Sequence, residues 1–272
     1  MKNSGSMTKQ TIKSPPVARS GLIIISLFVT LLLWYIVIWA ADLQAFILPS
    51  PHLVFDRFLR ALQDGSLIRN ARITLGEVLG GLALGGLSAI LIGYSLAKSR
   101  PLERLLSPFI VASQSVPIVA IAPLLVIWFG PGLTSKVLIC ALSVFFPILI
   151  NTIVGVRSVP RDLYDLLRSL QGTKWQTFTL LEVPAALPVL FGGLRIGATL
   201  SVIGAVVGEF VGADQGLGFL INVGRGQFDT ALVFVAVFTL IGMAMVLYGL
   251  VGLFENYFLS WQIPADQDNV SY

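Results

Sequence analysis

The chain has 272 residues, of which 56% are hydrophobic and only 12% charged, and its mean hydropathy is +0.86. Soluble domains carry about a quarter charged residues, so a soluble globular class is excluded although the length alone would suit one or two such domains. The net charge of +4 comes from basic residues scattered among apolar runs rather than gathered on one face, which argues against nucleic-acid binding.

Six apolar runs stand out: 21–41, 77–97, 106–128, 137–156, 186–208 and 231–254. Each has the roughly 20 residues a helix needs to cross about 30 Å of hydrocarbon. A barrel would show short alternating segments instead, and lipid admits no third kind of spanning structure. The predicted fold is an all-α integral membrane protein with six transmembrane helices. It forms one transmembrane domain over 21–258, between a polar, disordered tail at 1–20 and a short tail at 259–272.

The first run, GLIIISLFVTLLLWYIVIWAA, exceeds the roughly 7–15-residue core of a signal peptide, so it reads as an uncleaved first helix. Trp34, Tyr35 and Trp39 cluster toward its far end, as an interfacial belt would. Pro49 and Pro51 then break the chain. Leu53, Phe55, Phe58, Leu59 and Leu62 recur at helical spacing around Asp56, Arg57 and Arg60. That pattern predicts an amphipathic helix, either lying at the outer surface or packed as a lid on the bundle.

The second run holds Gly76, Gly80, Gly81, Gly85, Gly86 and Gly93. Small residues at four-residue spacing let helix backbones approach closely, so this helix belongs deep in the bundle or at a subunit interface. The third run contains Pro108, Pro117 and Pro123, with Ser113, Gln114 and Ser115 just ahead of Pro117. Each proline removes a backbone donor, and polar groups at that depth face a cavity or a neighbouring helix. Two readings follow: a broken helix lining a solute path, or hydrogen bonds that hold helices together. The fourth run contains Pro147 and ends near Asn151. The fifth is expected to begin after Pro184 and Pro188, and it carries Arg195 and ends at Glu209. The candidate pathway residues are Ser113, Gln114, Ser115, Pro117, Asn151 and Glu209. The sixth run is nearly free of polar groups and should face lipid in part.

Chemistry is sparse. Cys140 is the only cysteine and lies inside a span, and His52, the only histidine, reads as a loop residue; neither a disulfide within the chain nor a zinc site is available. There is no G-x-x-x-x-G-K-[ST] phosphate loop and no nucleophile–base set or metal cluster. No catalytic residue or bound cofactor is expected. A proton-coupled carrier would want acidic groups near the midplane, and none of the runs places one there. The driving energy must come from a partner or from a downhill gradient.

The segment 157–188, RSVPRDLYDLLRSLQGTKWQTFTLLEVPAALP, interrupts this pattern with charge. Residues 161–170 and 173–181 are predicted as two short helices. Pro160 followed by Arg161 and Asp162 opens the first, with an acid in its first turn. Gln171 and Gly172 supply the turn between them. Leu163, Leu166, Leu167 and Leu170 form an apolar stripe suited to a groove on a partner. With a cytoplasmic N-terminus, this loop falls inside together with Lys2, Lys9, Lys13, Arg19, Lys98, Arg100 and Arg104, against Arg57, Arg60, Arg69, Arg72, Lys136 and Arg225 outside. That agrees with the positive-inside rule.

The same segment resembles the cytoplasmic loop of permease subunits of ATP-binding-cassette (ABC) importers of the nitrate, sulfonate and taurine type. Their signature is E-A-A, three residues, G, nine residues, I-x-L-P. Here Asp165, Leu166 and Leu167 stand for E-A-A, Gln171 stands at the glycine, Leu181 and Val183 stand for I and L, and Pro184 matches. PAALP, FGGLRIG, GEFVGADQGLG, LPSP at 48–51 and PLLVIWFGPGLTSKVL at 123–138 are also similar to this family, so the resemblance covers roughly 45–262. It implies a type I importer fold in the bacterial inner membrane, with both termini cytoplasmic. It further implies a second permease copy as a homodimer, an ABC ATPase dimer carrying ATP and Mg, and an extracytoplasmic solute-binding protein. Coupling to the ATPase would fall to Asp162, Asp165, Leu166, Leu167, Ser169, Leu170, Gln171, Gly172, Thr173 and Lys174 in the loop 157–185. VASQSVPIVAIAPLLVIWFG resembles the branch associated with riboflavin and thiamine-pyrimidine precursors; sulfonate and nitrate branches usually carry R-P-x-P-P-x-A-x-x-P there. A secondary carrier and a membrane enzyme are the rival classes. The first requires ionisable groups in mid-membrane, the second a polar catalytic cluster at one interface.

Overall fold

The computed structural model of the chain describes residues 16–260, all of its regular structure there being helical. The expectations for residues 1–15 and 261–272 lie outside the described residues. Helix α1 (Pro16–Ala40) begins inside the stretch read as a polar tail. Helix α2 (Pro51–Gln63) is the amphipathic helix expected from the sequence, with Pro51 at its start, where a missing N–H costs nothing. It packs on the bundle through Val54 and Ala61, and Arg57 pairs with Asp229 at 2.7 Å.

Helix α3 (Ser66–Lys98) is far longer than the apolar run it contains; its 33 residues extend about 50 Å. Helices α4 (Arg100–Gln114) and α5 (Ile118–Phe129) meet at 94°. The third expected span is therefore an elbow, not a straight crossing. Pro117 is the cause: it has no N–H to continue α4, and it stands instead as the cap of α5 in extended conformation.

Helix α6 (Leu133–Arg157) runs straight through Pro147. Helix α7 (Arg161–Ser169) is the first of the two predicted loop helices. The second is not separate. A single turn, α8 (Lys174–Gln176), opens on a Thr173–Gln176 capping box and runs through a π-helical turn (Thr177–Glu182) into α9 (Val183–Gly212). The fifth span thus begins well before the prolines thought to start it. The Val183 N–H reaches back five residues to the Phe178 carbonyl, and this widened turn admits Pro184, which has no N–H for the ordinary helical ladder.

A helix not anticipated from the sequence, α10 (Leu217–Gly226), follows α9, and α11 (Thr230–Phe258) closes the bundle. Among the described residues, α3, α6, the 174–212 rod and α11 are long and apolar enough to cross a membrane, and the α4–α5 elbow adds a fifth crossing if counted as one. The Phe28–Ala40 part of α1 is a shorter apolar helix. Trp34, one of the residues expected in an interfacial belt, packs against Phe234 and Phe238 of α11 and donates to the Pro49 carbonyl at 3.1 Å.

The centre of the bundle is α6, pressed between α3 and α9. The glycines explain how closely. A Cβ at Gly81 would overlap Cys140, one at Gly85 would overlap the Ala141 backbone, and one at Gly204 would lie 2.9 Å from the Cys140 Cα. Without a hydrophobic push between helices in lipid, such backbone-to-backbone contact is what joins them. α11 buries Leu232, Val235, Ala236, Leu240 and Leu247, and its other face exposes Phe238, Ile241, Met245 and Phe254, as a helix half in contact with lipid should.

Candidate functional site

A groove of about 520 Å³ opens at the α4–α5 elbow, midway along α6 and α9. Its walls are mostly apolar: Val116 and Ile121 at the elbow, Phe146 from α6, Leu200 and Ile203 from α9. Ser113, Gln114 and Ser143 supply the polar groups. The Ser113 hydroxyl donates to the Phe109 carbonyl at 2.7 Å and that of Ser143 to the Ile139 carbonyl at 2.9 Å, so both present oxygen lone pairs rather than free donors. An apolar cleft of this size with a few convergent polar atoms suits a small organic solute better than an ion.

Of the residues assigned to a pathway from sequence, Ser113 and Gln114 line this groove. Ser115 and Pro117 form the elbow itself, the Ser115 hydroxyl reaching the Val111 carbonyl at 3.3 Å. Asn151 is not brought there; its amide donates to the Pro147 carbonyl at 2.8 Å, and it packs against Gly193. Glu209 lies elsewhere, fully buried at the far end of α9. It accepts from the Thr74 hydroxyl at 2.6 Å and from the Gly218 N–H. With Asn70 and Thr74 accepting from the N–H groups of Gly216 and Leu217, these side chains hold the start of α10. Gly216, at φ 113, is required because a Cβ there would overlap the Glu209 carboxylate.

Beside it lie Glu77 and Lys136, 3.5 Å apart and 1% and 6% exposed at the side chain. Sequence reasoning missed this pair. Its signal was available: a lone Glu and a lone Lys at the starts of two apolar runs, Glu77 opening 77–97 and Lys136 immediately before 137–156.

The opposite end of the bundle carries α7. It has no buried residue; Leu163, Leu166 and Leu170 are 42%, 56% and 70% exposed. Asp162, Asp165, Ser169 and Lys174 surround this apolar face and are likewise exposed. The helix ends in a Schellman turn. The Gly172 N–H bonds the Leu167 carbonyl at 2.9 Å and the Gln171 N–H bonds that of Arg168 at 3.0 Å. The left-handed residue is Gln171, at φ 55, so the residue standing where the signature has glycine adopts the conformation glycine favours. Gly172 packs under Leu167; a Cβ there would lie 2.6 Å from Leu167 Cγ.

Glu182, in the π turn, is the other group the sequence reading missed. It is 1% exposed and accepts from Tyr94 at 2.8 Å, from Tyr164 at 3.1 Å and from Lys98. Burial, then the adjacent Glu182 charge, pushes the Tyr164 phenol up to about 12, keeping it a donor. Nearby, Arg157 at the end of α6 donates to the Leu96 and Ala97 carbonyls at 3.0 and 3.2 Å, satisfying the end of α3, and pairs with Glu103 at 2.6 Å.

Residues 68–258 match the family described as binding-protein-dependent transport system inner membrane component. A riboflavin transport system permease protein of Chloroflexus aurantiacus is 48% identical over 238 residues, 88% of this chain and 89% of that one. A formylaminopyrimidine transport permease protein of Halalkalibacterium halodurans is 37% identical, covering 80% and 87%. Among solved structures, an inward-facing MetNI methionine ABC transporter matches with a TM-score of 0.60 at 18% identity, over 72% of this chain and 97% of that one; this likeness concerns the fold alone.

Proposed function

We propose, because this chain belongs to the family of binding-protein-dependent transport system inner membrane components, that it is the transmembrane subunit of an ABC importer that admits riboflavin. The observation that carries the solute is the 48% identity, over 88% of this chain, to a permease named for riboflavin. The groove at the elbow supports it: apolar walls suit a planar heterocycle, and Ser113, Gln114 and Ser143 offer hydrogen bonds to its polar edge. Ser115 and Pro117 act by setting the elbow. The likeness to a formylaminopyrimidine permease makes a thiamine-pyrimidine precursor the second reading.

Energy enters through α7. Its exposed leucine face, with Leu167 beneath, docks in a groove on a separate ATPase, helix-in-groove fashion, and Asp162, Asp165, Ser169, Thr173 and Lys174 supply the polar rim around Gln171 and Gly172. That partner binds ATP and Mg. A second copy of this chain, two ATPases and a solute-binding protein complete the assembly in the bacterial inner membrane. The loop and both termini face the cytoplasm, as the distribution of Lys and Arg favours.

The test is uptake by proteoliposomes holding the permease, its ATPase and its binding protein, comparing labelled riboflavin, formylaminopyrimidine and taurine. ATP-dependent accumulation of riboflavin alone is expected. Accumulation of taurine in its place would refute the solute, and accumulation without any ATPase would refute the mechanism.

A further inference from the structure

We propose that Glu182 is the joint that passes motion of α7 into the bundle: one buried carboxylate, at the root of α9, that holds Tyr164 of α7 and both Tyr94 and Lys98 of α3. This rests on α7 being the docking element for the ATPase.

Little else holds α7 against the bundle. No residue of that helix is buried, and its packing onto the bundle is against the π turn. Along the chain, α7 is joined to α6 by residues 158–160 and to α9 by the Schellman turn and the short 173–176 cap. A turn of that kind bends when pushed. The side-chain route is more direct, and it reaches α3 as well as the root of α9. Tyr164 donates to Glu182 at 3.1 Å, and the same carboxylate accepts from Tyr94 at 2.8 Å and pairs with Lys98. A carboxylate 1% exposed cannot trade these donors for water, so displacing Tyr164 must drag Glu182 or leave it under-bonded. Because Glu182 is part of the π turn and its partners lie in the last two turns of α3, a push on α7 reaches α3 and α9 together. Those are the two helices that grip α6 on either side. The aromatic rings reinforce the joint: Phe178 of the π turn stacks edge-on against Tyr94 at 5.4 Å and lies 5.5 Å from Trp175.

Glu182 is thus a positioning residue, acting through the helices it connects and not on solute or nucleotide. Tyr164→Phe isolates that role. It removes one donor and leaves Tyr94 and Lys98 to satisfy the carboxylate, so the fold is spared. Glu182→Gln keeps the shape and weakens the bonds to all three donors. Both are measured in the reconstituted complex with ATPase, binding protein and riboflavin, reading solute moved per ATP hydrolysed alongside recovery of the intact complex by size exclusion. For Tyr164→Phe the ratio should fall about tenfold, the effect of losing one hydrogen bond to a charged group, with complex recovery unchanged. Glu182→Gln should lower it at least as far. An unchanged ratio in assembled Tyr164→Phe complex would overturn the joint, as would reduced complex recovery with a normal ratio, because that pattern belongs to a merely structural contact. A wild-type chain that fails to bind the ATPase at all overturns the docking reading instead, and is recognised before either variant is made.

Discussion

Gln171 tests whether the end of α7 is held by its turn. The residue sits at φ 55, where a side chain with a Cβ costs about 1.5 kcal/mol relative to glycine. Gln171→Gly removes that cost but frees the unfolded chain, which takes back about 0.7 kcal/mol. The net is about 0.8 kcal/mol in favour of the turn, a fourfold shift in its opening equilibrium. The probe is the Gly172 amide, whose N–H bonds the Leu167 carbonyl at 2.9 Å. Its hydrogen-exchange protection should rise about fourfold in Gln171→Gly and fall in Gln171→Val, where β-branching worsens the strain. If Gly172 exchanged faster in the glycine variant, the turn would not be limited by its left-handed residue and the reasoning would fail. The consequence for function follows from the same geometry. A firmer turn presents the leucine face of α7 in one orientation, so uptake by Gln171→Gly should be at least that of the parent chain.

Three further outcomes are expected. Leu167→Asp puts a charge beneath the apolar face of α7, and should abolish ATP-driven uptake while the protein stays in the membrane at normal amounts; unchanged uptake would remove α7 as the docking element. Lys136→Met leaves Glu77, 1% exposed, without its cation and should destabilise the detergent-solubilised protein by about 3–5 kcal/mol, with Glu77→Met added back restoring most of it; equal thermal midpoints for single and double variants would refute the pairing. Thr74→Val deprives Glu209 of a 2.6 Å donor and Leu217 of a 2.8 Å acceptor, so amides at the start of α10 should lose protection while those of α6 keep theirs.

Much of the fold could be read because lipid imposes a single rule, that apolar runs of sufficient length become helices. The glycines of α3 announced a close helix contact, and the structure supplies its partner in α6. The elbow was legible in part: Pro117, just after the Ser-Gln-Ser triplet, has no N–H to carry the helix on, whereas Pro108 and Pro123 sit inside α4 and α5. What the sequence could not reveal is how helices end. Pro184 and Pro188 look like a start signal, yet the chain is already helical ahead of them, because a π turn absorbs the first proline and the missing N–H is tolerated inside. Helix α3 likewise runs back through Arg69, Asn70 and Arg72, residues too polar for a span.

The polar residues were harder, and for one physical reason. A charge within an apolar run is affordable only when a partner neutralises it, and the partner is set by tertiary contact. Glu182 finds Tyr94 and Lys98 some 84 to 88 positions earlier. Glu209 finds Thr74 135 positions earlier. Read along the chain, Glu209 therefore looked like a path residue and Glu182 like an incidental member of LLEVPAALP. In space they lie toward opposite ends of the same 174–212 rod, each tying it to α3. Glu209 does so where α10 begins, and Glu182 where α7 docks. Two buried carboxylates at the ends of one pair of helices make that pair turn as a unit, with α6 wedged between them by glycine contacts. Of the two arms of the elbow, α5 is packed on α6 and α9 through Ala122 and Leu125, whereas α4 buries no residue. Displacing the α3–α6–α9 block against α4 would change the shape of the groove that α4, α6 and α9 line together, which is the place the proposed function gives to the solute.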